Sequence, residues 1–105
     1  KLHICGDITH ILPSLAKTDV DILDVDWMVD MAEAHKSMGD GVMVCGNIDP
    51  VTEVLEGTEA SIKSKFDAIK ASVPVENWIF MAGCEIPRDS PVGNVRYMRE
   101  ISMKK

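Results

Sequence analysis

Apolar residues along the chain fall into two spacings. Short apolar runs at 2–5, 20–25, 41–45 and 77–82 stop at Gly, Asp or Cys, and each predicts a β-strand. Between the runs, apolar positions recur at helical spacing. Residues 9–17 carry Ile11, Leu12, Leu15 and Ala16; residues 27–38 carry Met28, Met31, Ala32 and His35. Residues 59–72 place Ile62, Phe66 and Ile69 on one face, and residues 91–103 form a last helix. Punctuation agrees with these limits. Pro13 fits a helix only in its first turn, and Gly39 suits a C-cap. Thr58 is placed to cap one helix, and Ser90 with Pro91 to start another. Gly46-Asn47-Ile48-Asp49-Pro50 predicts a turn ending the third strand, followed by a single helical turn over 51–55.

Strands alternating with helices make a βαβ series, which implies an α/β fold with a parallel sheet and right-handed crossovers. Ligands of such sheets bind at the carboxyl ends of the strands. Every chemically interesting group follows a strand here: His3 and Cys5, Asp24 and Asp26, Cys45 and Asn47, Cys84 and Glu85. His3 and Cys5 stand two residues apart, so a strand points both the same way. If the first and fourth strand ends meet, Cys84 joins them, and three N/S donors with one open position suit a catalytic zinc. Spacing alone favours a plainer account, a strand histidine and two core cysteines, because such pairs are common in strands.

Composition narrows the function classes. At 105 residues and 46% hydrophobic content, the chain is sized for one domain with one core. A net charge of −6 without a Lys/Arg stripe argues against nucleic acid as a partner. No apolar run approaches the ~18 residues of a membrane span, and no signal-peptide pattern is visible. Three cysteines amid strand and helix patterns suit a reducing, cytoplasmic setting. The chain starts at Lys1 directly before a strand and reads as a piece of a longer protein. Cys45 and the Met28/Met31 stripe are expected in the core, His10 and His35 on the surface, and Lys63, Lys65 and Lys70 on a solvated helix face. Asn47 and Asp49 are expected to build the turn through side-chain-to-backbone bonds.

Three stretches occur in order: His3-Ile4-Cys5-Gly6-Asp7, Cys45-Gly46-Asn47-Ile48-Asp49-Pro50, and Ala82-Gly83-Cys84-Glu85-Ile86-Pro87 with Ser90-Pro91. Together they resemble the C-terminal half of the uroporphyrinogen decarboxylase-like superfamily. The His-x-Cys with a distant Cys resembles the zinc motif of its corrinoid methyltransferase branch, the coenzyme M and O-demethylase types. The Gly-Asn-Ile-Asp-Pro stretch is shared across the superfamily. Gly93-Asn94 stands where a Glu-Asn pair is usual, a change expected to affect only the helix start.

The resemblance implies that residues 1–105 form the C-terminal half of a TIM (β/α)8 barrel, with an N-terminal half or a second copy completing it. It further implies zinc held by His3, Cys5 and Cys84, a corrinoid (cobalamin) carried by a partner protein, and a small-molecule methyl donor or thiol acceptor. The implied activity is zinc-dependent methyl transfer between corrinoid protein and a thiol or methylated substrate, in one-carbon metabolism. Asp7 is expected to orient His3; Asp24, Asp26 and Asn47 to line the pocket; Glu85 to be a fourth ligand or an outer acceptor. Two alternatives stand beside it, a metal-free decarboxylase acting on a tetrapyrrole and a non-catalytic fragment. For the arginine-bearing pocket that a polycarboxylate substrate needs, the segment offers only Arg88, Arg96 and Arg99, all in the last unit.

Overall fold

Four parallel strands lie in chain order in one sheet: β1 (Leu2–Ile4), β2 (Ile22–Val25), β3 (Met43–Ile48) and β4 (Trp78–Ala82). The computed structural model describes residues 1–104. Helices α1 (Leu12–Leu15), α2 (Met31–Met38), α3 (Glu59–Lys70) and α4 (Val92–Ser102) follow the strands in turn. The βα alternation expected from hydrophobic spacing is the observed architecture. No helix among the described residues is long and apolar enough to cross a membrane.

In-register residues of a parallel sheet share a face. One row, Leu23, Val44 and Trp78, is fully buried beneath the helices. Around it pack Leu12, Ala34, Ile62 and Phe66. Phe66, Trp78 and Phe80 form a ring cluster with centroids 5.0–5.6 Å apart. The next row, His3, Asp24, Cys45 and Ile79, lies on the opposite face, where Ile79 is 38% exposed. The sheet thus segregates an apolar helix side from a polar and sulfur-bearing side.

Several local expectations move by a few residues, each for a visible reason. The helix expected over 27–38 starts only at Met31, because the Asp30 carboxylate accepts from Glu33 N at 2.9 Å and caps it there. Residues 27–30 form a turn that leaves Met28 42% exposed, outside the core that Met31 joins. Gly39 ends α2 with φ of 78°. The third strand runs on through Gly46, Asn47 and Ile48, which pair with Phe80, Met81 and Ala82. Pairing with β4 supplies partners to a segment whose local propensity is for a turn.

Turn chemistry begins at Asp49, which accepts from Val51 N and Thr52 N and opens a π-helical turn over Pro50–Leu55. Thr58 and Ser61 form a reciprocal capping box on α3. Ser90 makes no cap; Pro91 takes that position and α4 begins at Val92. The helix expected over 9–17 splits into a 3-10 turn and the four-residue α1, with Pro13 in its first turn. Lys63 pairs with Asp67 at 2.6 Å on the solvated face of α3.

Asn94 does more than start a helix. Buried in α4, it donates to Val54 O at 3.0 Å and Gly57 O at 2.9 Å, fastening α4 to the segment after β3. Asn94→Ala leaves both carbonyls without that donor and is expected to cost about 1–3 kcal/mol in urea denaturation of the full-length protein.

The sheet is strongly curved. Three strand steps of ~4.8 Å would separate the edges of a flat sheet by about 14 Å. Yet the cysteines that leave the two edge strands, Cys5 and Cys84, bring their sulfurs to 2.8 Å. Two short side chains close only part of that gap, so the strand ends themselves curl toward each other.

Candidate metal centre

His3 projects from β1, Cys5 from the chain just past it, and Cys84 from the exit of β4. His3 Nε2 lies 3.2 Å from Cys5 Sγ, and the donor atoms of all three residues lie within 4.8 Å of one another. Among the described residues this is the only cluster of three such side chains placed to hold a metal ion. Cys5 is exposed and Cys84 half-buried. One imidazole nitrogen and two sulfurs suit zinc, leaving a fourth position open. Two sulfurs on a tetrahedral zinc at ~2.3 Å stand about 3.8 Å apart, so the pair would open by about 1 Å. Both side chains line a cavity of about 430 Å³.

The surroundings orient the donors. His3 Nδ1 faces Asp24 O at 3.2 Å and Asp24 Oδ1 at 3.4 Å, which assigns the ring proton to Nδ1 and leaves the Nε2 lone pair facing the sulfurs. Asp24 is buried, and its Oδ2 pairs with Lys1 Nζ at 3.0 Å. Asp26 bridges two strand exits: Oδ2 accepts from Gly6 N and Oδ1 from Trp27 N, both at 2.8 Å. Asn47 Nδ2 in turn donates to Asp26 O at 3.0 Å. Gly83 allows the exit of β4 to come this close, because a Cβ there would lie 2.4 Å from Trp27 N. That approach sets the position of Cys84 next to it.

Proximity also divides the acidity of the thiols. Hydrogen bonding with Cys5, and next with His3, lowers the Cys84 thiol below its ordinary value. Cys5, facing Cys84, is pushed up to about 11. His3 is raised, first through its hydrogen bond with Cys84; burial opposes this, and Asp24 adds to the rise.

Several outer residues differ from expectation. Asp7 does not orient His3; its Oδ1 accepts from Thr9 N at 3.0 Å and Thr9 Oγ1 at 2.6 Å, which holds its carboxyl below the usual range. Asp24 takes that part instead. Asp26 and Asn47 brace the strand ends and do not line the cavity beside Cys84; Asp24, Glu85 and Met81 do. Asn47 itself lines a second cavity, against α3. Cys45 is 1% exposed in the interior. His35 pairs with Asp40 at 3.3 Å. Lys1 belongs to no motif, and only the structure shows that it pairs with Asp24.

Residues 1–104 match the family model described as Uroporphyrinogen decarboxylase (URO-D). The uroporphyrinogen decarboxylase of Microcystis aeruginosa is 35% identical over 99 residues, covering 94% of this chain and 27% of that protein. That of Picosynechococcus sp. is 37% identical over 102 residues, covering 94% and 27%. A solved methyltransferase from Methanosarcina mazei superposes with a TM-score of 0.85 at 22% identity, covering 98% of this chain and 30% of that one. The chain spans less than a third of the length of these relatives. Its four parallel βα units match a fragment of a TIM-barrel-like enzyme fold. With the family model matched from end to end of the described residues, the chain belongs to the uroporphyrinogen decarboxylase family.

Proposed function

We propose that this chain is the zinc-bearing segment of a TIM-barrel methyltransferase that moves a methyl group between a corrinoid protein and a thiol or methylated substrate. The observation that carries it is the convergence of His3, Cys5 and Cys84 from the two edge strands. A bound zinc ion would supply positive charge that keeps a substrate thiol deprotonated at neutral pH. The chain's own groups do the rest. His3 presents Nε2, with Asp24 holding the opposite side of the ring. Two cysteine ligands would leave the site neutral before substrate joins, which favours an electron-rich substrate thiolate. Glu85 and Met81 wall the space in which the reacting group would sit.

The decarboxylase name of the curated relatives favours the alternative, a lyase acting on a tetrapyrrole. Such a substrate needs cations around its carboxylates. Arg88, Arg96 and Arg99 are all exposed, and none lines the cavity beside Cys84. Two assays on the full-length protein separate the possibilities. Zinc near one equivalent with methyl transfer from methylcobalamin to a thiol supports the proposal. Turnover of uroporphyrinogen by a zinc-free protein overturns it.

Asp24→Asn tests how the ring is held. Outer partners of a metal-bound histidine typically contribute ~10–100-fold in metal affinity. The variant removes the carboxylate charge but keeps the backbone carbonyl that faces Nδ1, so it is expected to weaken zinc binding only at the lower end of that range, about 10-fold, measured by competition with a chromogenic chelator.

A further inference from the structure

The two sulfurs stand closer together than zinc ligation requires. At 2.8 Å they are about 1 Å nearer than two sulfurs on one tetrahedral zinc, and about 0.8 Å farther than a bonded pair. Cys5 is exposed, Cys84 is half-buried, and both border an open cavity that a small oxidant can enter. The third cysteine, Cys45, is enclosed in the interior. We propose that Cys5 and Cys84 are a redox pair: with no metal on them, a peroxide closes them into a disulfide that shuts the site, and a dithiol reopens it. The consequence for metal rests on the zinc assignment above; the disulfide itself does not.

The chemistry balances without further components. One of the two sulfurs, as its thiolate, attacks one peroxide oxygen, the O–O bond breaks, and the departing oxygen takes up a proton as water. That cysteine is then a sulfenic acid. The other sulfur attacks it, the S–S bond forms, the S–O bond breaks, and a second water leaves. Two thiols have lost two electrons and hydrogen peroxide has gained them. The product cannot serve as a ligand set, because both sulfurs have given up the charge that a metal needs. A metal held between them would block the reaction for the complementary reason, since it keeps the sulfurs near 3.8 Å, about 1.8 Å beyond bonding.

The full-length protein, stripped with a chelator or loaded with zinc, would be treated with hydrogen peroxide, alkylated and analysed by intact mass and peptide mapping. The stripped protein is expected to lose about 2 Da, yield a crosslinked peptide pair carrying Cys5 and Cys84, and take up zinc only after dithiothreitol. The loaded protein is expected to keep both thiols. Cys45→Ala should behave like the parent, and Cys5→Ala should give no internal crosslink. Sulfinic acid in place of the crosslink, a crosslink through Cys45, or unchanged thiols in the stripped protein would overturn the pair. A crosslink that forms and reverses in a protein whose reduced form takes up no zinc would uphold the pair and overturn the zinc assignment alone.

Discussion

Cys84→Ser is expected to reduce bound zinc from about one equivalent per chain to none measurable, and methyl transfer to background. Serine keeps the shape of the side chain, so the half-buried site does not collapse around it. What disappears is a thiol held below its ordinary value, first by Cys5 and then by His3. A neutral hydroxyl at that point is a far poorer zinc donor than a thiolate. The loss should exceed the ~10–100-fold expected when only an outer partner of a ligand changes. Elemental analysis of Cys84→Ser beside Cys45→Ala checks it. Equal zinc in the two variants would refute the ligand assignment, because Cys45 is buried and is not one of the three clustered donors.

Trp78→Ala is expected to be the most damaging single change to stability, at about 3–5 kcal/mol. Trp78 is fully buried at the start of β4, with ring centroids 5.3 Å from Phe66 and 5.6 Å from Phe80. Its Nε1 also donates to Gly46 O at 2.8 Å, across to β3. Truncation empties the centre of the ring cluster and leaves that carbonyl without its indole donor. Against a typical total of ~5–15 kcal/mol, a loss of this size can consume much of the protein's stability. Urea denaturation of the full-length protein checks it. Trp78→Phe, which retains most of the volume, should cost less than half as much. A loss under ~1 kcal/mol for Trp78→Ala would mean that the cluster contributes little to the core.

Much of the architecture was legible in the order of residues. Four strands and their helices follow from period-two and period-3.6 spacing, because burial acts on each face wherever the chain sits. Thr58 starts a helix and Gly39 ends one where local chemistry alone demands it. The boundaries that moved are those at which another element competes. Gly46 and Asn47 have turn propensity, yet β4 offers them a ladder and the strand continues. Asp30 outcompetes the apolar pattern that would have begun a helix at Trp27, because it satisfies an otherwise unpaired backbone donor.

The site divides in the same way. Residue order alone put His3 and Cys5 on one face, since strand alternation is local, and the His-x-Cys pattern with a distant Cys named Cys84 as the third candidate. Only the tertiary structure decided that Cys84 reaches them, because the meeting depends on curvature accumulated across four strands. Likewise only the register made Asp24, and not the nearer Asp7, the partner of His3. Asp7 has a donor two residues away that captures its carboxylate first. Asp24 lies directly across the ladder from the imidazole, a relation set by strand pairing and invisible in residue order.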